Sequence, residues 1–207
     1  MKHKFWIDSH KGATGVFTLG LIAWFHAWDN LIAWIYLALH GTYGVLWILK
    51  SKYFGDKTWE REVSVWYGLY TWFGLSLYWV SPWLIVTGRN HVAPAWYYAL
   101  CISMYSFGVF FHFAGDMQKH MMMKYQRGTL LTEGLWSKLR NPNYFGELLI
   151  YAGFSLVPLH WAPLAALATI VSIVWIPNMI RKDKSLARYP EFAQYKSQSK
   201  YILPRVL

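Results

Sequence analysis

The 207-residue chain has few charged side chains, half as many acidic as basic ones, and a single cysteine. Charged residues make up 14% of the chain, against about a quarter of a typical soluble domain. Hydrophobic residues make up 56% and are spread along nearly its whole length, which excludes disorder, a disulfide scaffold, a coiled coil and a collagen-like chain. Cys101 has no second cysteine for a disulfide or a thiolate metal site. The small share of charged residues and the large share of hydrophobic ones indicate a membrane protein.

The motifs of soluble nucleotide-binding folds are missing as well. The sequence contains neither a GxGxxG turn nor a P-loop, and its eight histidines form no HExxH or HxxxH pattern. No metal site is therefore predicted, and any cofactor must be bound by loops and helix ends.

Apolar runs of about 20 residues are long enough to cross a bilayer as a helix. Such runs lie at 13–28, 31–49, 63–87, 94–114 and 161–180, with a shorter one at 145–158. The predicted fold class is an all-α integral membrane protein with six transmembrane helices, of which the fifth is short and paired with the sixth.

The basic residues are distributed unevenly between the two sides of this arrangement. Three lie in the N-terminal segment, four in the second loop, five in the fourth loop and seven in the tail, leaving only Arg89 opposite. The positive-inside rule then predicts cytoplasmic N- and C-termini, in either a bacterial inner membrane or the endoplasmic reticulum. The net charge of +10 is explained without a nucleic-acid partner, and none is predicted.

The chemistry is predicted in the C-terminal half, where a mixed polar loop at 115–147 leads into the short span. Glu147 falls at the rim of that span, where a carboxylate is costly unless it is paired or functional. A glutamate stabilised by a helix N-terminus is the alternative interpretation. The basic segments 119–140 and 181–188 suit an anionic nucleotide-like cofactor, with anionic lipid as the alternative, and the aromatic tail is predicted to fold over that pocket.

The string TEGLWSKLRNPNYFGE, preceded by DMQK and followed by RKDKSLARYPEFAQYKSQSKYILP, carries a resemblance. Over residues 116–204 the chain resembles the C-terminal catalytic region of the steroid 5α-reductase and sterol reductase superfamily. The resemblance implies NADPH as cofactor and Glu147 and Tyr144 as catalytic residues. The cofactor-binding residues it implies are Lys119, Lys124, Trp136, Arg140, Asn143, Tyr144, Arg181, Asp183 and Tyr195.

The chain departs from that pattern at three places. Asn141 stands where the superfamily has a histidine, and Lys182 separates Arg181 from Asp183. The basic residue expected shortly after Gln118-Lys119 is displaced to Lys124, behind a run of three methionines. The sequence is also similar to isoprenylcysteine carboxyl and phospholipid methyltransferases, which bind S-adenosylmethionine. Their tail motif is matched at Leu186 only, and the strings NYFGE and DMQK favour the reductases.

The predicted function is reduction of a double bond in a steroid-, sterol- or lipid-enone-like substrate by a membrane-embedded, NADPH-dependent enzyme. Two alternatives stay open, an S-adenosylmethionine-dependent methyltransferase and a non-catalytic lipid-binding protein. Residues 1–114 are predicted to form transmembrane helices with a substrate-side cavity, and 115–207 the cofactor-binding region. The predicted partners are a lipophilic small molecule and membrane lipids, with no obligate protein partner.

Overall fold

The computed structural model describes residues 1–88 and 92–203. The regular secondary structure of these residues is helical, with no β-strand among them. The all-α prediction is therefore confirmed. Arg89, the basic residue predicted to lie opposite the others, lies outside the described residues. The helices are α1 (His3–Trp24), α2 (Leu31–Tyr36), α3 (Thr42–Phe54), α4 (Val65–Ser76), α5 (Val80–Thr87), α6 (Ala95–Tyr125), α7 (Pro142–Leu156), α8 (Trp161–Ile170), α9 (Ile176–Leu186) and α10 (Phe192–Gln198).

Three continuous helical stretches are long and apolar enough to cross a membrane: Leu31–Phe54, Ala95–Tyr125 and Trp161–Leu186. The first and third each contain a π-helical turn, at Leu37–Gly41 and Val171–Trp175. The chain is thus a membrane protein. The remaining predicted spans coincide with α1, with α4 and α5, and with α7. These helices are not among the three stretches that are long and apolar enough to cross a membrane, so the count of six and the cytoplasmic termini stay predictions.

Helix α1 begins at His3, ten residues before the predicted span at 13–28. It belongs to a compact unit formed by Met1–Tyr105 and Tyr151–Leu167, in which it packs against α3 and α4. Its contact with α3 is close, because a Cβ added to Gly44 would lie 3.1 Å from the carbonyl carbon of Lys11. The polar residues at the start of α1 are helical because this packing buries them.

A second compact unit contains 106–150 and 168–203 of the described chain. In it the start of α7 lies directly against α6. A Cβ added to Gly146 would lie 2.6 Å from the carbonyl oxygen of Gly108 and 2.8 Å from the Cα of His112, so only glycine allows this approach. The close contact fixes the first turns of α7, which carry the predicted residues Asn143, Tyr144 and Glu147.

The tail of this second unit folds back onto the segment that precedes α7. The backbone N–H of Arg140 donates to the carbonyl of Lys200, and the N–H of Lys200 donates to the carbonyl of Lys138, both at 2.8 Å. These two bonds tie the end of the tail to residues 138–140. They place it beside the motif that the sequence singled out.

Candidate functional site

The centre of the candidate site is an ion pair between Arg140 and Asp183. Arg140 Nε lies 3.3 Å from Asp183 Oδ2, and the two side chains are 8% and 13% exposed. Arg140 NH1 also donates to the carbonyls of Lys196, at 3.2 Å, and Ser199, at 2.8 Å. Further hydrogen bonds stabilise a buried pair of charges, and Arg140 NH1 makes such bonds to the tail, whereas Arg140 Nε and Asp183 Oδ1 have no hydrogen-bond partner among the described residues. The pair therefore joins the start of α7, the end of α9 and the tail.

Lys182 and Asn141, two of the departures from the superfamily pattern, contact each other. Lys182 Nζ donates to Asn141 Oδ1 at 2.8 Å and to the carbonyl of Arg140. It also lies 4.3 Å from the centroid of the Trp136 ring, within the range of a cation–π interaction. Asn141 Nδ2 donates in turn to the carbonyl of Tyr201 at 2.9 Å. The substituted asparagine thus links the inserted lysine to the tail.

Trp136 and Tyr195 form the buried wall of this cluster. Trp136 Nε1 donates to the carbonyl of Gly115 at 3.1 Å, which fixes the indole against α6. The hydroxyl of Tyr195 donates to the carbonyl of Trp136 at 2.6 Å. Burial raises the pKa of Tyr195 to about 12, so the phenol stays protonated and a donor at neutral pH.

Asn143 is held by α6. Its Nδ2 donates to Asp116 Oδ1 at 2.9 Å, and its backbone carbonyl accepts from His112 Nδ1 at 3.1 Å. His112 Nε2 lies 3.9 Å from Asp116 Oδ2, so these two side chains face each other along one turn of α6. Asn143 is consequently positioned by two residues that the superfamily resemblance did not include.

The two predicted catalytic residues lie on the first turns of α7. Tyr144 is half-buried, with its ring centroid 5.7 Å from that of Trp175 and the ring planes tilted by 67°. Glu147 is half-buried and stands three residues further on, so the two side chains neighbour each other on one helix face. Their catalytic roles stay predictions.

The remaining predicted basic residues lie on α6 and α9. Lys119 is half-buried on α6, whereas Lys124 is exposed near the end of that helix. Arg181 is exposed on α9 and donates to the side chain of Asn178. The structure thus brings Trp136, Arg140, Asp183 and Tyr195 into one cluster, while Lys124 and Arg181 face outwards.

Four polar atoms of this unit are buried without a hydrogen-bond partner in the described part of the chain. One is Arg140 Nε, which faces Asp183 Oδ2 at 3.3 Å, and the others are Asp183 Oδ1, Asn143 Oδ1 and the hydroxyl of Tyr201. Buried polar atoms are nearly always hydrogen-bonded, so atoms without a protein partner point to a ligand or a water molecule. The two carboxylate and amide oxygens and the tyrosine hydroxyl could form hydrogen bonds with the hydroxyl and amino groups of a nucleoside. NADPH and S-adenosylmethionine both contain a nucleoside.

Sequence reasoning missed a buried lysine in the first compact unit. Lys11 had been counted among the flanking positive charges, yet it is buried in α1 and donates to the hydroxyl of Tyr151. Its Nζ lies 4.6 Å from the ring centroid of Tyr43 and 4.8 Å from those of Trp47 and Tyr151. Lys50, also counted as a loop charge, is buried in α3. The aromatic residues around Lys11 are distant in sequence, so the local pattern does not reveal its burial, whereas Lys50 lies 4.5 Å from the ring centroid of Trp47, three residues earlier in the chain.

Comparison with known proteins gives two matches. The model of a family of proteins of unknown function, DUF1295, matches residues 51–202. The cobalt-zinc-cadmium resistance protein CzcN of Cupriavidus metallidurans is 30% identical over 164 residues, which is 78% of this chain and 61% of that relative's length. No solved structure matches the chain.

Proposed function

The chain belongs to the DUF1295 family, a steroid reductase-like family of membrane proteins, and on that premise we propose that it is a membrane-embedded, NADPH-dependent reductase. Its substrate is a lipophilic molecule with an activated double bond, such as a steroid, a sterol or a lipid enone. The proposal extends to the six-span topology with cytoplasmic termini, which the distribution of lysine and arginine supports. A lipophilic substrate reaches a pocket between helices most easily from the bilayer.

The observation that carries the proposal is the set of unpartnered buried atoms beside the Arg140–Asp183 pair. Asp183 Oδ1 and Asn143 Oδ1 would accept hydrogen bonds from ribose hydroxyls or the adenine amino group, and the hydroxyl of Tyr201 would complete that set. Lys119 and the exposed Arg181 would bind the phosphates. When bound, NADPH supplies the hydride, and the protein supplies binding, orientation and acidity.

The residues of α7 would act on the substrate. Reduction of a conjugated double bond adds a hydride to one carbon and a proton to the other, and negative charge develops on the conjugated oxygen between these events. The hydroxyl of Tyr144, or the protonated carboxyl of Glu147, would hydrogen-bond that oxygen. Their neighbouring positions on one helix face allow both to reach the same group.

A specific observation favours S-adenosylmethionine as the second candidate cofactor. Two cations of the site, Arg140 and Lys182, direct their hydrogen bonds to Asp183, Asn141 and backbone carbonyls. This leaves fewer cations for phosphates. S-adenosylmethionine has no phosphate, and its nucleoside would use the same acceptors. A methyltransferase of a lipophilic substrate is the function that would follow.

Thermal unfolding of the detergent-solubilised protein with NADPH, NADH and S-adenosylmethionine in parallel tests the proposal. A ligand that binds only the folded state at 100 times its Kd stabilises it by about 2.7 kcal/mol. We expect NADPH to stabilise the protein, and an enone screen followed by NADPH absorbance then tests turnover. Stabilisation by S-adenosylmethionine alone would replace the reductase with the methyltransferase. No stabilisation by any of the three would contradict both and favour a lipid-binding protein.

The variant Tyr201→Phe makes this test specific to the site. It removes a hydroxyl that has no hydrogen-bond partner in the described chain, so unfolding without ligand should change little. Stabilisation by the cofactor should fall. Tyr125→Phe, at the exposed end of α6, is the matched control and should keep the full response. An unchanged response in Tyr201→Phe would remove Tyr201 from the site.

A further inference from the structure

Methionine is concentrated at the end of α6. Four of the seven methionines in the chain lie at 117 and 121–123. The helix has 31 residues and is therefore about 46 Å long, which exceeds the roughly 30 Å of a bilayer's hydrocarbon core. Its last ten residues include Asp116, Gln118, Lys119 and Lys124, so the methionines lie on a polar extension of the helix.

Two of these methionines and a histidine share one face of the extension. His120 and Met121 stand three and four residues after Met117, a spacing that puts each of their Cβ atoms about 5–6 Å from that of Met117. Met117 is 39% exposed and Met121 is 44% exposed, and His120 is half-buried. The face therefore carries two accessible thioethers beside an imidazole.

Nothing in the described chain occupies the ligand atoms of this face. The imidazole of His120 makes no hydrogen bond, ion pair or ring contact with described residues. Lys124, the nearest cation on the same face, has its ammonium group 5.0 Å from the ring centroid of Tyr125. Methionine side chains are unbranched and flexible, so two sulfur atoms one turn apart can converge on one ion.

The chemistry of this ligand set is selective. Thioether sulfur is a soft ligand that binds Cu(I) and similar ions, and imidazole binds the same ions as a neutral nitrogen ligand. We propose that Met117, His120 and Met121 form a binding site for a soft monovalent cation, Cu(I) or Ag(I), at the end of α6. The three residues are not among the proposed cofactor-binding residues, of which Lys119 directly precedes His120 in the chain. The test is carried out without NADPH, so its outcome does not depend on the proposed function.

The test is titration of the solubilised full-length protein with Ag⁺ in chloride-free buffer, with every protein carrying Cys101→Ser to remove the single thiol. We expect one Ag⁺ to bind. Met117→Leu/Met121→Leu should lower the affinity by more than about tenfold, or about 1.4 kcal/mol. Met122→Leu is the matched control, since Met122 lies about 140° and 160° around the helix axis from Met117 and His120, on the opposite side of the same helix, and it should keep the affinity.

A second readout separates ligation from a change in folding. With methionine labelled at its methyl carbon, Ag⁺ should shift the NMR signals of Met117 and Met121 and leave that of Met122 in place. His120→Asn should weaken binding while its thermal unfolding matches that of the parent. Equal Ag⁺ binding by the double variant and the parent, or an equal loss in Met122→Leu, would overturn the site.

Discussion

Removing the carboxylate of Asp183 should detach the tail from the start of α7. Asp183→Ala leaves the guanidinium of Arg140 in a site where its side chain is only 8% exposed, without the anion that lies 3.3 Å from its Nε. Breaking a buried ion pair in this way costs about 3–5 kcal/mol. Arg140 keeps its acceptors at Lys196 and Ser199, so we expect the lower end of that range.

Because the pair holds the tail locally, native-state hydrogen exchange is the assay that resolves the effect. The amides of Arg140 and Lys200 are bonded across the attachment and report its opening. A loss of about 3 kcal/mol should speed their exchange by roughly a hundredfold. The matched control is Glu191→Ala, which removes an exposed carboxylate from the same tail and should leave both amides unchanged.

The double variant Arg140→Met/Asp183→Leu distinguishes a lost ion pair from a lost contact. Replacing both partners with apolar side chains removes the uncompensated charge, but it also removes the bonds from Arg140 NH1 to the carbonyls of Lys196 and Ser199, so protection of the two amides should return only in part. Exchange at the wild-type rate in Asp183→Ala would refute this account of the ion pair.

Three further predictions concern buried contacts elsewhere in the chain. Burial raises the pKa of Tyr195 from 10.0 to about 12. The stability that its protonated phenol contributes is therefore complete below pH 10 and is lost as the pH rises towards 12. Thermal unfolding of Tyr195→Phe should lack this pH dependence. Gly146→Ala forces α7 away from Gly108 and His112 and should lower the free energy of unfolding by about 1–3 kcal/mol, measured with denaturant. Lys11→Ala empties a space between three aromatic rings and should cost about 2–5 kcal/mol, whereas Lys11→Met should cost less than about 1.5 kcal/mol in the same assay.

Composition and apolar periodicity were sufficient to predict the fold class. The apolar runs at 31–49, 94–114 and 161–180 each fall within a helix that is long enough to span a membrane. The start of α1 was not predictable in the same way. His10 and Lys11 resemble a flanking polar segment, but both are buried. Their helical state depends on side chains from other helices, and local pattern does not contain that information.

The candidate site was predictable only in part. The order of motif elements singled out Trp136, Arg140, Asp183 and Tyr195, and the structure brings these four together. Positive charge alone was a weaker guide than the order of the motif elements. Lys124 was also predicted to bind the cofactor, yet its side chain is exposed. The acceptors of Arg140 are mostly backbone carbonyls of the tail, which any residue type could supply. A sequence motif therefore does not show where this arginine directs its hydrogen bonds.

The contact between Asn141 and Lys182 changes how these two departures from the superfamily pattern should be understood. Taken singly, a lost histidine and an inserted lysine each weaken the resemblance. In the structure the asparagine oxygen accepts from the lysine, and the asparagine nitrogen donates to the tail at Tyr201. A neutral histidine ring has one donor and one acceptor on opposite sides, whereas the asparagine amide offers both from a single short group. The two substitutions therefore form one compensated unit, so replacing Asn141 alone by histidine should weaken the tail attachment more than Asn141→His combined with Lys182→Met.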